Sequence, residues 1–526
     1  MFPKIRTNTA RLILVISFWL CANAAAQNLT VVNGTLGLHT TQGATNDVWA
    51  NPPATNTVFD RWTGDVSVLA DPCAWHTTAV MPANASTVTA TYKTSPAWTT
   101  TTYIVNGLSS SDPNAVNLVY YFPPNPMGVI FFFHGANGSA SGFFTKIESS
   151  TFARDAVAAG YAIAALDSND RVNKIWSSDP TTANVDVQNV QTSINYLTGL
   201  GLMHAGTPTF STGMSYGGFF APYAAYDLDF KACGIWCASG LTPPASSLFT
   251  FTTVPTMWCL AQNDDLYDHP TFLANANTNL SNLTSRNVAG QLFEHPPSPV
   301  YPGRFTRIPG ISASDSQTAH DRLLSGGFID AFDNLTSDPE TNLWYNTVLT
   351  TNTQPYYMDM QDQLDCCYSG HSQYSDYDDK ILQFFTATLS FSQWEIFYSL
   401  TGAPTATPEN DGVSNLYKYL FDINPTRIMT TSDQAALPTV GMTTNAGTSC
   451  LTLTYRENPT VFHETPAISD ITVNVQTSSN LQTWQTLTNP TITQTGSDST
   501  TGDPIMQVRV PASGSKLFIR LNVTSP

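Results

Sequence analysis

Apolar runs of strand length alternate with segments of helical period through the middle of this chain. Residues 128–133 read Gly-Val-Ile-Phe-Phe-Phe. Such a run has no polar face, as expected of a parallel strand covered on both sides. Residues 161–166, 207–211, 231–239, 254–260 and 288–294 are read as further strands, and 151–160, 185–200 and 219–226 as helices. Residues 103–108 and 115–122 open the sheet as antiparallel strands. This alternation predicts an α/β domain with a mostly parallel sheet. Later, at 451–455, 471–476 and 506–510, the period falls to two, which predicts a C-terminal β domain. Residues 300–370 are too many for a simple connection. They are read as an insertion beside the site, helical at 314–327 and irregular at 337–353. Trp344 in this insertion, and Trp176 after the strand at 161–166, are candidate pocket walls or packing residues.

The chain has 526 residues, too many for one domain. Its first 26 read as a secretory leader: Lys4, Arg6 and Arg11 flank an apolar stretch, and Ala24-Ala25-Ala26 offers a cleavage site. The apolar stretch is too short to span a bilayer, and no later one is long enough. The expected location is extracellular. The net charge is -18, and about -21 without the three leader cations. That balance disfavours nucleic acid and anionic membranes as partners. Seven cysteines lie beyond the leader: Cys73, Cys233, Cys237, Cys259, Cys366, Cys367 and Cys450. Their spacing suggests no metal site, and an odd count leaves at least one unpaired. Cys366-Cys367 could be tethered to Cys237 or Cys259, or all could be buried thiols; the sequence leaves both open.

Gly213-Met214-Ser215-Tyr216-Gly217 carries the chemistry. It is a G-x-S-x-G pentapeptide between a strand-like and a helix-like run, the setting of a nucleophile elbow. Small residues flank the serine because the strained turn brings backbone against backbone. The strand at 128–133 ends in His134-Gly135-Ala136-Asn137-Gly138. A glycine-rich loop there can aim N–H groups at a developing oxyanion. The expected donors are the N–H groups of Ala136 and Tyr216, while His134 is read as a residue that orients the loop.

On these motifs, about 290 residues resemble the α/β-hydrolase superfamily. The resemblance implies the order serine, acid, histidine. It places the acid just past the strand at 254–260, at Asp264, with Asp265 as rival. It places the histidine at His371, in a loop before a last helix. His295 is the competitor, but Pro296-Pro297 after it suits a rigid loop. The other six histidines are read as surface or packing residues. Serine is a poor nucleophile at neutral pH, so the histidine must take its proton, and the carboxylate fixes the imidazole tautomer.

Three regions outside this core resemble other modules. Residues 28–93, with Phe59, Trp62, Gly64 and Asp65 in an F-x-x-W-x-G-D pattern, resemble the internalin B-repeat, which implies a spacer or adhesive unit. Trp62 is read as a core residue. Residues 391–425 resemble a calcium-loop linker. With Gly412 at loop position 6, the ligand positions are Thr407, Glu409, Asp411, Asn415 and Lys418. A lysine where a bidentate acid belongs predicts a degenerate, metal-free turn. Residues 426–526 resemble a β-sandwich of exported enzymes.

The resulting division is a leader (1–26), a small β module (28–93), a hydrolase domain (94–390), a linker (391–425) and a β-sandwich (426–526). The expected protein is a secreted serine carboxylic ester hydrolase without cofactor or metal, resembling feruloyl-esterase-like and polyester-depolymerase-like enzymes. Its expected partner is an ester, polymeric or surface-bound. The alternatives are a prolyl-oligopeptidase-like peptidase and an adhesion protein with a vestigial hydrolase domain.

Overall fold

The computed structural model describes residues 28–525 except 180–182, 241–244, 265, 267–268, 287, 399, 401, 408, 446–447, 459–460, 462–469, 489, 499–502 and 513–515. The leader, Asp265 and His463 therefore lie outside the described residues.

Eight strands form the central sheet: β1 (Thr101–Ile104), β2 (Asn117–Tyr121), β3 (Val129–Phe133), β4 (Ala162–Leu166), β5 (Thr209–Met214), β6 (Ala232–Trp236), β7 (Thr256–Ala261) and β8 (Gly290–His295). Their spatial order is β1-β2-β4-β3-β5-β6-β7-β8. β2 runs antiparallel to both its neighbours, and the rest are parallel. This is the α/β-hydrolase fold that the motif resemblance implied, with the mostly parallel sheet that the apolar runs predicted.

The helices are α1 (Ile147–Ala158), α2 (Val185–Gly199), α3 (Tyr216–Asp227), α4 (His269–Thr284), α5 (Ala313–Ser325), α6 (Tyr345–Val348), α7 (Tyr357–Tyr368) and α8 (Asp378–Ala387). β3 shows why its sequence is apolar throughout. Ile130 and Phe132 join a core with Phe152 of α1 and Phe385 of α8. Val129, Phe131 and Phe133 join the opposite core, with Val190 of α2, Phe220 of α3 and Leu283 of α4. Alternate residues of one strand thus feed two helical layers.

Residues 300–370 form a packed unit with its own core, including Phe305, Leu323, Trp344 and Leu364. Trp344 is fully buried and donates its indole N–H to Gln361 Oε1 at 2.7 Å. It is therefore a packing residue and not a pocket wall.

The N-terminal module is two three-stranded sheets. Trp62 is buried and donates to the Ala74 carbonyl at 3.0 Å, as its core reading required. The module is docked on the hydrolase domain through buried charges. Lys380 Nζ of α8 lies 2.6 Å from Asp71, and His76 bridges Asp376 (2.5 Å) and Asp47 (3.0 Å). Trp49 stacks on Tyr301 at 4.5 Å, and the Arg307 guanidinium lies 3.9 Å over Trp75. His76 is therefore an interface group and not an idle packing residue.

The C-terminal region holds a four-stranded and a three-stranded antiparallel sheet. Leu453 and Val508 of one and Val475 and Leu521 of the other enter the same core as Phe385 of α8. In the linker, buried Lys418 places its ammonium 2.6 Å from Asp411. Two proposed ligand positions thus hold each other. The seven cysteines beyond the leader are free thiols.

Candidate active site

Ser215 sits between β5 and α3 with φ 55° and ψ -119°. A side chain rarely adopts positive φ, and such strain costs about 1–3 kcal/mol. The flanking glycines make it attainable. A Cβ on Gly213 would lie 2.1 Å from the Gly217 carbonyl oxygen, and one on Gly217 would lie 2.0 Å from that of Phe133. No side chain fits either place, so the start of α3 rests directly on the end of β3. Ser215 N–H donates to the Trp236 carbonyl at 2.9 Å, which pins the turn to β6.

The loop after β3 is held from two sides. His134 donates from Nδ1 to the Gly135 carbonyl at 2.7 Å, and its Nε2 accepts the Ser168 N–H at 3.2 Å. Accepting at Nε2 requires a neutral ring. Burial provides it, lowering the His134 pKa to about 4. Trp176 donates its indole N–H to the His134 carbonyl at 2.7 Å and stacks on Phe220 at 4.6 Å. It is a buried strut of this loop and not a pocket wall. The Ala136 and Tyr216 N–H groups have no acceptor among the described residues. Both remain available to an oxyanion, and that of Tyr216 opens α3, where N–H groups are intrinsically unpaired.

Asp264 and His371, the acid and histidine expected from the resemblance, lie side by side. His371 Nδ1 lies 2.7 Å from Asp264 Oδ2, and Asp264 is 3% exposed. Their loops are laced together. Gln262 N–H donates to Ser369 Oγ (2.7 Å), Asn263 N–H to the Ser369 carbonyl (2.9 Å), and Asn263 Nδ2 to the Tyr368 carbonyl (2.8 Å). Ser369 closes α7 in the left-handed conformation, φ 64°, which turns the chain toward Asp264. The carbonyls on both sides of His371 are also held. The Tyr374 hydroxyl donates to Gly370 O, and the Cys237 thiol donates to Ser372 O at 2.9 Å. Cys237 directly follows Trp236, the residue that holds Ser215. The serine turn, the acid loop and the histidine loop therefore converge around the end of β6.

His295 lies elsewhere in role. Its Nε2 donates to the Cys366 carbonyl at 3.2 Å, its ring stacks on Tyr374 at 4.1 Å, and burial lowers its pKa. It braces the histidine loop from below. The sequence reading offered Cys237 as a disulfide tether of that loop, but Cys237 is a free thiol that holds it by a hydrogen bond to Ser372 O, and Tyr374 was missed. A thiol or phenol inside a sequence carries no signal of which distant carbonyl it will meet.

No family model matches this chain, and no curated protein matches it. Similar solved structures include Est1E from Butyrivibrio proteoclasticus, at 13% identity and a TM-score of 0.27 over 38% of this chain and 89% of that one. Esterase B from Lactobacillus rhamnosis, with a tributyrin phosphonate, matches at 17% and 0.26 over 38% and 74%. A thermostable carboxyl esterase from Bacillus coagulans matches at 19% and 0.21 over 29% and 48%. These likenesses are too distant to assign a substrate. The α/β-hydrolase fold of this chain rests on its own strand order and its own elbow.

Proposed function

We propose that this chain hydrolyses carboxylic esters through a covalent acyl-serine intermediate. The observation that carries the reading is the Asp264–His371 pair, 2.7 Å apart on two laced loops beside the strained Ser215 turn. In the proposed reaction Ser215 Oγ attacks the ester carbonyl while His371 Nε2 takes its proton. Asp264 holds the other ring nitrogen as N–H, so that Nε2 faces the serine with a lone pair, and it stabilises the imidazolium that forms. The Ala136 and Tyr216 N–H groups receive the oxyanion. His371 then protonates the departing alkoxide, and water repeats the sequence to release the acid. The set calls for no metal or cofactor.

The chain is further proposed to be exported and to act on a polymeric or surface-bound ester. Support comes from the leader-like residues 1–26 and from the β sheets at both ends of the hydrolase domain. The test is a panel of p-nitrophenyl, feruloyl and polymeric esters alongside aminoacyl anilides, on wild-type protein and Ser215→Ala. Serine-dependent release from esters supports the reading. Preference for anilides would move it to the peptidase, and inertness of folded wild-type protein toward every member would refute it.

A further inference from the structure

Beside the Asp264–His371 pair lies a thiol that the proposed hydrolysis does not use. Cys237 is fully buried and has φ 47° at the end of β6. Its Sγ, a carboxylate oxygen of Asp264 and a ring nitrogen of His371 all lie within 4.8 Å of one another. This is the one such group of three potential ligands among the described residues. The second oxygen of Asp264, Oδ1, is buried with no hydrogen-bond partner. The acid thus has coordinating capacity that the fold leaves unspent.

We propose that Cys237, Asp264 and His371 form a site for a thiophilic divalent cation such as Zn²⁺, and that its occupancy switches His371 off as a base. One soft sulfur, one imidazole and one carboxylate make a donor set suited to zinc. Charge favours the same ion. A thiolate and a carboxylate neutralise a divalent cation, so a closed site buries no net charge, whereas a lone buried thiolate beside Asp264 is strongly disfavoured. Zinc–ligand bonds of about 2.0–2.3 Å set ligand atoms about 3.3–3.8 Å apart, so the sulfur must come about an ångström inside the 4.8 Å limit, while the ring nitrogen and the carboxylate, 2.7 Å apart, must part slightly. A rotation of the thiol away from Ser372 O supplies the sulfur's movement.

The proton balance explains the switch. The ion forms bonds to Sγ, to a carboxylate oxygen and to Nδ1. The thiol proton is released to water. The proton now on Nδ1 moves to Nε2, leaving the imidazole neutral. His371 then presents N–H, not a lone pair, to Ser215, and it can no longer accept the serine proton. The switching half of the proposal rests on the ester-hydrolase reading, whereas the binding half does not.

The experiment titrates Cd²⁺ into full-length Ser215→Ala protein and follows the thiolate-to-metal charge-transfer absorption in the ultraviolet. Saturation at one ion per chain is expected. The band should vanish in Cys237→Ala and in Cys237→Ser, two variants checked for folding by circular dichroism. Affinity should fall by about a hundredfold or more in His371→Ala, and it should be unchanged in Cys450→Ala, a distant free thiol. In parallel, Zn²⁺ should inhibit wild-type ester turnover reversibly, with EDTA restoring it. A band that survives loss of Cys237, or no band at all, overturns the proposal. So does stoichiometric binding that leaves turnover intact. Should wild-type protein hydrolyse no ester, the hydrolase reading fails separately, while the Cd²⁺ titration still decides the site.

Discussion

The positive φ at Ser215 stores backbone strain of the kind that collects at functional turns. Ser215→Ala should abolish turnover by about four orders of magnitude or more, because members of such a set act as a unit. Ser215→Gly should be equally inactive yet more stable, by about 1 kcal/mol, since glycine adopts φ 55° without penalty. Thermal melts of the wild type and the two variants, paired with p-nitrophenyl ester rates, check both statements. A glycine variant no more stable than alanine would show that the turn is unstrained. His371→Ala should lose turnover comparably, whereas His295→Ala should lose stability and keep most turnover, because its ring only braces Tyr374 and Cys366. At this scale the sequence was informative wherever backbone dictated side chain. The glycines around Ser215 are legible because no Cβ fits there. His76 was illegible, because its partner Asp376 is 300 positions away and nothing local marks either residue.

Among the elements, fully buried strands were readable, and so were the polar helices α2 and α5, but α4 and α7 were not. β3 and β4 announce themselves because every residue of each is buried. α4 reads His-Pro-Thr-Phe-Leu-Ala-Asn-Ala-Asn-Thr-Asn-Leu-Ser-Asn-Leu-Thr, rich in weak helix formers, and buries Phe272, Ala276, Asn279 and Leu283. That single stripe at spacings of three and four decides for helix, against propensity. α7 escaped notice likewise, although it delivers the turn that presents His371. The linker was half legible. Its calcium-like spacing was visible, but not that the Lys418 ammonium would lie on Asp411. Lys418→Met should therefore cost about 3–5 kcal/mol by leaving a buried carboxylate without its cation, measured by urea unfolding. EGTA should leave the wild-type melt unchanged. A calcium-dependent melt would instead mean that the lysine swings aside for a metal.

For the whole molecule, the N-terminal module is bound into the hydrolase domain more firmly than a spacer would be. Asp71→Ala should destabilise the chain by about 3–5 kcal/mol, because Lys380 would keep its burial and lose its 2.6 Å partner. The interface also carries a pH signature. Burial lowers the His76 pKa, but the hydrogen bonds its ring donates to Asp376 and Asp47 outweigh it and raise the ring to about 9. A raised folded-state value means that the contribution is complete below the unfolded value near 6.5 and is lost as pH climbs through about 9. It amounts to about 3 kcal/mol. The stability gap between wild type and His76→Gln should accordingly narrow between pH 6.5 and 9. A gap that widens over that window would place the proton elsewhere. The sequence division into separable modules captured where composition changes, but composition says nothing about which faces will meet. Residues 94–390 alone would present Lys380 and Asp376 to water, so that fragment should melt below the full chain.

The ion pairs that seat this module join residues 300 and 309 positions apart. During synthesis the module emerges first and waits for α8 before His76 and Asp71 find their partners. Closing so long a loop is slow and adds no stability until it is complete. Docking is therefore expected as the late kinetic phase of refolding, and His371, five positions before Asp376, should gain its final setting in that phase. Ester turnover regained after dilution from urea should lag behind the recovery of secondary structure.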